Sequence, residues 1–407
     1  TLWQDSAGTV PVTAVEQPVG RILDKSGRGN HATQVTTTKR PVLSRRVNLY
    51  ASTENLSSVW TLAGATVTAS GTSPTGSAAW LMSDSAATSN HTASQPVTVT
   101  NARYLLRLLA KPQGGRYVYL QVGNGVDRGN AVFDLQTATV TDRSSSGAGA
   151  VSFSISLLTD GWLLLGVSAK SDAGIWVYSF GICSGPFLGN AFFLGNNTRT
   201  ILLAEPSLTL ETDANLPYQW VNTATDYDAD PAKFPAYLRF DGVDDALQTG
   251  NIDFTGTDKM TVWAGVTKLS DAASGTIAHT GIYDGTPGFL LASPAAASSA
   301  NMSFRARRSV LGPTCAVSGL VAPVNCVLAG HYDAASTTAR ANGSQTIDAS
   351  TAGTGNFASR PLRIGSQDGV GYFFNGRLYS LIVRGAQSSL SQIEAGELYT
   401  KQKMRLP

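Results

Sequence analysis

Charged side chains are scarce in this chain. Only 14% of the 407 residues are charged, against about 25% in an ordinary soluble domain. The acidic residues include just six glutamates, and lysine and methionine are also infrequent, so strong helix formers are in short supply. Glycine, threonine, serine, valine and alanine dominate instead, a composition that favours strands and turns. A mainly helical protein is therefore excluded, and an all-β fold is expected.

Cysteine and histidine are equally sparse. The three cysteines, Cys183, Cys315 and Cys326, are too few and odd in number for a disulfide framework. We expect reduced core cysteines, although a hairpin through residues 319–323 would set Cys315 opposite Cys326 and leaves their pairing open. None of the four histidines stands in a spaced pair with a cysteine or another histidine, so no zinc site can be identified.

No run of like charge or of apolar residues defines a partner. The net charge is +2, and the one dense cationic cluster, Arg305, Arg307 and Arg308, is expected to be a solvated strand edge. Nucleic-acid binding is therefore not expected. No stretch of 18 apolar residues occurs, so membrane insertion is not expected either. No secretory signal is visible, and the chain opens on Thr1 and not on Met, which suggests a piece of a longer product or a trimmed chain.

Strand signals recur along the whole chain. They are short runs with period-two alternation, separated by Gly, Asn, Asp or Pro. In residues 259–266, for example, Met260, Val262, Ala264 and Val266 share one face. This pattern predicts antiparallel β-sandwiches of the jelly-roll type.

One short helix is predicted near the C-terminus. Ser389 and Gln392 form a capping box, and Leu390, Ile393 and Leu398 would line one face of the helix. We expect this helix to lie across the edge of a sandwich.

The chain divides into three blocks. Residues 1–46 are too few to close a core alone, because small chains bury too little surface. Residues 48–212 carry a full set of strands, and a polar, Asp-rich stretch ending at Pro231 is typical of a connector. A third block runs from residue 236 to the end, so the opening piece must dock on one of the two later blocks.

Short motifs in the first and third blocks resemble a known family. The opening motifs resemble the start of concanavalin A-like (laminin G-like) lectin domains in bacteriophage virion proteins: LWQDSAGT at 2–9, PVG at 18–20, LDKSG at 23–27, GNHATQ at 29–34 and RP at 40–41. The continuation resembles the same domains about 190 residues later, in YLRFDGVDD at 237–245, residues 257–268, PLRIG at 361–365 and FNGRLYSLIV at 374–383.

The middle block is similar to a second kind of phage module. Its motifs resemble carbohydrate-binding-module-like jelly rolls of tail fibres and other virion appendages: NL at 48–49, WTL at 60–62, VTVT at 97–100, residues 104–111, AVFDL at 131–135 and GW at 161–162. The two resemblances together imply one lectin-like sandwich, residues 1–47 plus 231–407, split by an inserted jelly roll at 48–212, with a connector at 213–230. Exposed loops tolerate such insertions.

Catalysis is not expected. Glycoside hydrolysis needs two carboxylates about 5 to 10 Å apart, and no Glu-x-Asp-x-Glu motif or close variant of it occurs. The tightest acidic cluster is Asp241, Asp244 and Asp245. Asp and Gly favour turns, so a turn is the simplest interpretation of this cluster, and a calcium or ligand site is the alternative. No other cofactor is expected.

Candidate ligand-binding residues are aromatic or cationic. Tyr117 and Tyr119 share one strand face, and Trp176 and Tyr178 share another. If both faces look outward on one sheet, they would form a platform for stacking sugar rings, although packing in the core would explain the same alternation. In the lectin-like part, the candidates are Arg305, Arg307 and Tyr372.

The expected function is non-catalytic adhesion. The resemblance implies a virion surface protein made in the host cytoplasm, part of a phage fibre or spike that binds host-surface glycans. Its expected partners are other virion proteins and further copies of itself, with a trimer favoured. Capsid decoration, as in a head fibre protein with a purely structural role, is one alternative, and a polysaccharide depolymerase or a secreted bacterial lectin is another.

Overall fold

The computed structural model describes residues 2–123, 128–146 and 151–407. The chain splits into two compact units. The first unit combines Thr1–Arg45 with Asp230–Pro407, and the second unit is Arg46–Ala229. The second unit is therefore inserted into the sequence of the first.

The described residues form 29 strands and one α-helix, numbered in chain order. The first unit begins with β1 (Leu2–Trp3), β2 (Arg21–Ile22), β3 (Ala32–Thr33) and β4 (Val42–Ser44). The second unit contains β5 (Thr61–Ala63), β6 (Ala65–Thr72), β7 (Ala78–Asp84), β8 (Thr88–Val99), β9 (Ala102–Pro112), β10 (Tyr117–Gly123), β11 (Arg128–Asp134), β12 (Thr139–Ser146), β13 (Ser152–Leu157), β14 (Leu163–Ser171), β15 (Gly174–Cys183), β16 (Phe192–Leu194) and β17 (Thr200–Leu210). The first unit resumes with β18 (Tyr237–Asp241), β19 (Leu247–Asp253), β20 (Met260–Lys268), β21 (Thr276–His279), β22 (Gly288–Ala292), β23 (Asn301–Arg307), β24 (Cys315–Ser318), β25 (Val324–Tyr332), β26 (Thr337–Ala341), β27 (Ser344–Asp348), β28 (Ser359–Ile364), β29 (Asn375–Arg384) and α1 (Leu390–Lys403). Short 3-10 turns occur at Thr37–Lys39, Thr159–Gly161, Leu188–Ala191 and Glu211–Asp213.

The first unit is a sandwich of two antiparallel sheets. Its nine-stranded sheet has the order β1-β2-β3-β19-β28-β21-β22-β23-β24, and its seven-stranded sheet has the order β27-β26-β25-β20-β29-β18-β4. Apolar side chains from both sheets, such as Phe289 and Phe304 from one and Val262 and Leu328 from the other, form a common core between them. The predicted fold class, all-β with antiparallel sandwiches and one C-terminal helix, is confirmed.

The opening segment contributes strands to both sheets of this sandwich. Ala32 of β3 pairs with Thr249 of β19 in the nine-stranded sheet. Leu43 of β4 pairs with Leu238 of β18 in the seven-stranded sheet. The first residues of the chain therefore complete a sandwich whose other strands come from its last third.

Helix α1 lies on the outer face of the seven-stranded sheet, not across an edge. Ile393 packs with Trp263, Ala329 and Ile382, and the indole N–H of Trp263 donates to the carbonyl of Ile393 at 3.1 Å. The predicted cap is confirmed: the Ser389 hydroxyl accepts from the Gln392 N–H. The predicted apolar stripe is wrong at two positions, because Leu390 and Leu398 are exposed and only Ile393 of the three faces the sheet.

The second unit is also a two-sheet sandwich. One sheet has six strands, β13-β14-β9-β17-β7-β6, and the other has seven, β12-β11-β10-β15-β8-β16 with β5 paired to β8. Alternate residues of each strand point inward; Val118, Leu120 and Val122 of β10, for example, are fully buried. This alternation leaves the other face of each strand for solvent or a cover.

Residues 213–229 belong to the second unit and are not a free connector. The side chain of Gln219 is buried and accepts from the N–H groups of Val47 and Asn48. Val221 is also buried, and its carbonyl accepts from the N–H of Thr53. Residues 222–226 are exposed, but buried residues on both sides of them tie the segment to the second unit.

All three cysteines are free and buried, so Cys315 and Cys326 do not pair. Strand β23 lies inside the sheet between β22 and β24, and Arg308 just after it is buried, with Nη1 donating to the Tyr332 hydroxyl at 3.2 Å. The arginine cluster is therefore not a solvated strand edge. Among the described residues, no helix has the length and apolar character needed to cross a membrane.

Candidate functional site

The outer face of the seven-stranded sheet in the second unit is the candidate site. Along β10 the inward residues are buried, whereas Tyr117, Tyr119 and Gln121 between them are only partly buried. The pairing of Leu120 with Phe180 on β15 fixes the register, so the partners of Tyr119 and Gln121 on the neighbouring strands also point outward. The side chains on this face can therefore be read directly from the strand pairs.

A row of short polar side chains crosses this face at right angles to the strands. Consecutive strand pairs align six residues from six strands: Ser144, Asn130, Gln121, Ser179, Ser94 and Thr61. We call these residues the polar row; Asn130 and Ser179 are buried, at 5% and 9% exposure, and the other four are partly buried or exposed. Because neighbouring strands lie about 4.8 Å apart, the polar row is about 24 Å long.

Hydrogen bonds fix one half of the polar row. The Tyr119 hydroxyl donates to Gln121 Oε1 at 2.6 Å and also approaches Asn130 Oδ1 at 3.2 Å. Asn130 Nδ2 donates to the Ser144 hydroxyl at 3.2 Å. Burial raises the pKa of Tyr119 to about 12, so its hydroxyl remains protonated and can donate near neutral pH. These contacts hold the amide groups in fixed orientations before any ligand arrives.

Apolar groups border the polar row on both sides. On one side, Val177 and Ile175 are 51% and 69% exposed, and Val177 pairs with Pro96. On the other side, Tyr119 pairs with Gly181, where a Cβ would lie only 2.1 Å from the carbonyl oxygen of His91. Only glycine fits there, so β15 contributes no side chain next to Tyr119 at this position.

A short segment covers one end of this face. Leu188 packs against the buried cluster of Val132, Cys183 and Ala191, as Tyr117 and Tyr119 also do, and its N–H donates to Asp142 Oδ2 at 2.7 Å. This segment lies beside the polar row, two residues further along the strands, where Val132 pairs with Asp142. The guanidinium of Arg116 lies over the ring of Tyr117, 5.2 Å from the ring centre.

The predicted aromatic platform is only half present. Tyr117 and Tyr119 do lie on the outer face, but Tyr178 is fully buried and its hydroxyl donates to Ser171 at 2.9 Å. Trp176 is on the same face of β15 as Tyr178, and its indole N–H donates to the carbonyl of Asp172. The two strands are neighbours, yet their register turns the aromatic face of β15 inward. Correspondingly, the outward residues of β15 are Ile175 and Val177.

The candidates in the first unit do not form one cluster. Arg307 and Tyr372 lie at opposite ends of β22. Arg307 pairs with Gly288 at the first end. The carbonyl of Tyr372 accepts from the N–H of Thr276, which pairs with Ala292 at the other end. Both arginines also have structural roles. Arg305 Nε donates to the carbonyl of Gly312 at 2.7 Å, and Arg307 Nη1 donates to the carbonyl of Ile282 at 3.2 Å. Tyr372 is 57% exposed.

Three carboxylates converge in the turn between β18 and β19. Asp241, Asp244 and Asp245 each place an oxygen within 4.8 Å of the other two. Burial, followed by the charge of Asp241, raises the pKa of Asp245 to about 6. Asp241 Oδ1 accepts from the N–H of Val243 at 2.8 Å, so the expected turn is present. Three oxygen donors also suit a hard cation such as Ca²⁺, and the calcium site stays a prediction.

The same turn gives little support for catalysis. A retaining glycosidase needs two carboxyl groups about 5 to 5.5 Å apart within a substrate cleft, whereas these acids lie within 4.8 Å of one another. A cleft between the two sheets of the first unit is lined by other residues and by none of these three. Asp245 Oδ2 also accepts from the N–H of Asp241 at 3.0 Å, a local contact that holds the turn.

Comparisons with known proteins find similar solved structures only at low identity. No protein-family model matches the chain, and no curated protein matches it. Similar solved structures include domains LG4-5 of the mouse laminin alpha1 chain, with 13% identity over 75% of this chain and 90% of that chain and a TM-score of 0.29. The LG1-3 region of the laminin alpha2 chain is similar at 8% identity over 74% of this chain and 65% of that chain, with a TM-score of 0.28. Similarity at this level says nothing about what this chain binds.

Proposed function

We propose that this is a non-catalytic binding protein that attaches to glycans through the polar row of its second unit. The observation that carries this proposal is the alignment of six short polar side chains across six neighbouring strands. Tyr119 borders the row on one side and Val177 on the other.

The chemistry of this face matches that of a sugar chain. Glycan hydroxyls require hydrogen-bond partners, and the amides and hydroxyls of the polar row can act as both donors and acceptors. The C–H faces of sugar rings pack on apolar or aromatic side chains, which the borders of the row provide. Because the groups stand on paired strands, little conformational freedom is lost on binding. The row contains no ionisable side chain, so a neutral glycan segment fits it best.

The biological setting follows from the sequence resemblance and is part of the same proposal. We infer that the chain acts on the surface of a phage particle, where it would adhere to host-surface glycans beside other virion proteins. A homotrimer is the expected assembly, as in many virion fibres. Native mass spectrometry of the purified chain tests this assembly, and a monomer at micromolar concentration would contradict it.

A glycan array with the full chain tests the function. The variant Gln121→Ala with Ser144→Ala removes two groups of the polar row, of which Ser144 is exposed and Gln121 half-buried. Because each lost hydrogen bond to a ligand contributes roughly 1 kcal/mol, the pair should weaken binding about tenfold or more. Gln136→Ala with Ser145→Ala is the matched control, since both residues are exposed and Ser145 points to the opposite face of β12 from Ser144.

The outcomes separate the alternatives. Binding that falls in the first double variant and stays unchanged in the control supports the proposal. Absence of binding to any glycan, with the chain located on a capsid lattice, would favour decoration. Release of reducing ends from host polysaccharide, abolished by Asp241→Asn or Asp245→Asn, would instead indicate a depolymerase.

A further inference from the structure

The sandwich of the first unit is open along one side. A cleft of about 1430 Å³ enters between its two sheets. Side chains that would be fully buried in a closed sandwich are only partly buried there, among them Leu2 and Ile22 from the nine-stranded sheet and Leu43, Leu381 and Val383 from the seven-stranded sheet. Most pockets for small molecules have volumes of roughly 300 to 1,000 Å³. This cleft is larger, and its length follows a strand.

The wall of the cleft includes the edge of a strand. Every residue from 378 to 386 contributes to the lining. Successive side chains of a strand point to opposite faces, and Ile382 indeed packs toward helix α1 while Leu381 and Val383 point between the sheets. An unbroken run of lining residues therefore means that the backbone edge itself faces the cleft.

The strand pairing explains this edge. In the described parts of the chain, β29 has two neighbours, β20 and β18. β20 pairs with it as far as Arg384, whereas β18 pairs only with residues 375–378. β18 cannot extend backwards along residues 380–384, because Pro235 lies two residues before its first residue and lacks an N–H for a ladder. About half of the backbone groups of residues 380–384 consequently point into the cleft.

Charges at the mouth of the cleft indicate what could enter. Lys25, Arg28 and Lys403 are exposed and line the cleft, and Arg384 lines it at the end of β29. The acidic lining residues are Asp24 and Asp253, and both accept hydrogen bonds from their own turns. The entrance is therefore cationic around an apolar interior.

We propose that this cleft binds an extended peptide segment of a partner protein, which pairs with residues 380–384 as an added strand. An acyl chain could fill the apolar space but could not satisfy the backbone N–H and C=O groups of the strand edge, whereas an extended peptide does both. The segment has apolar side chains at alternate positions and acidic residues at its ends. This site lies in the first unit and is separate from the polar row in the second.

A labelled peptide tests the proposal on the full chain. The probe is Glu-Val-Thr-Val-Thr-Val-Glu with a fluorophore at its N-terminus, and binding is followed by fluorescence anisotropy. Saturable binding should be lost when alternate residues of the peptide are N-methylated on the pairing edge, because the hydrogen bonds of the added strand cannot form. Lys25→Glu with Arg28→Glu should weaken binding about tenfold through charge repulsion.

A protein variant and a second measurement complete the test. Leu381→Lys puts a charge inside the cleft and should abolish binding, while Leu398→Lys, the same change at an exposed position of α1, should leave it unchanged. Hydrogen exchange should show new protection confined to residues 380–384 when the peptide is bound. An absence of binding at millimolar peptide, equal binding of the N-methylated peptide, or protection elsewhere in the chain would each overturn the proposal.

Discussion

Each unit of this protein contains a seven-stranded sheet, and the two sheets differ in what covers their outer face. In the first unit, helix α1 packs on Trp263, and every residue of β20 is buried. In the second unit, a short segment around Leu188 covers one end, and β10 alternates between buried and partly buried residues. A strand that is buried on both faces thus lies in a covered sheet, and a strand that alternates between buried and partly buried residues leaves one face accessible.

The largest expected effect is the loss of the helix contact in the first unit. Trp263→Ala removes a side chain that is 4% exposed, together with its hydrogen bond to Ile393, and should lower the free energy of unfolding by about 3 to 5 kcal/mol. Val177→Ala on the open face of the second unit should change it by less than about 0.5 kcal/mol. Calorimetric unfolding of both variants measures the contrast. Equal losses would show that the two faces are covered alike.

The next effect concerns pH. The pKa of Asp245 is raised to about 6 in the folded chain, so its contribution to stability is fully present below its ordinary pKa of 3.8 and is lost as the pH rises through 6. Asp245→Asn cannot ionise, and its Tm should exceed that of the original chain at pH 8 but not at pH 3.5, measured in EDTA.

The polar row should respond differently to the same change of pH. Its side chains do not ionise, and the pKa of Tyr119 is about 12, so glycan affinity should be constant from pH 5 to pH 8. A Tm difference for Asp245→Asn that does not depend on pH would contradict the electrostatic account of the first unit. A titration of glycan binding near neutral pH would contradict the account of the second.

The smallest effect is expected at the partial cover of the second unit. Leu188 is partly buried against the cluster of Val132, Cys183 and Ala191, so Leu188→Ala should destabilise by only about 1 kcal/mol. Because Tyr119 packs against the same cluster, glycan affinity should fall slightly, by about twofold or threefold. Thermal unfolding and titration with the array-selected glycan measure both effects. If Leu188→Ala unfolded the whole second unit, the segment would be an essential part of its core.

The strands were predictable from the sequence because alternation is a local property, and so was the cap of α1 at Ser389. The direction in which a strand faces was not. Tyr117 with Tyr119 and Trp176 with Tyr178 have the same pattern, and only the pairing of Leu120 with Phe180, sixty residues apart, turns one pair outward and the other inward. Sequence reasoning also missed the polar row, because Ser, Asn and Gln on a strand are ordinary solvent-facing residues until their register aligns them.

The open cleft was equally hidden in the sequence. Helix α1 and the opposite sheet flank the two faces of residues 378–383. The exposed edge of β29 depends on where β18 begins. Pro235 sets that start, but this matters for the edge only because β18 is the neighbour of β29, which the sequence does not show. Such features arise from strand neighbours that are distant in the chain.

The most direct test of the proposed function is a crystal structure of the full chain with the oligosaccharide that the array selects. The account predicts that the sugar chain lies across the strands of the second unit, with hydroxyls within hydrogen-bonding distance of Gln121, Asn130 and Ser144. An oligosaccharide bound instead at the Asp241 turn, or on the nine-stranded sheet of the first unit, would contradict it.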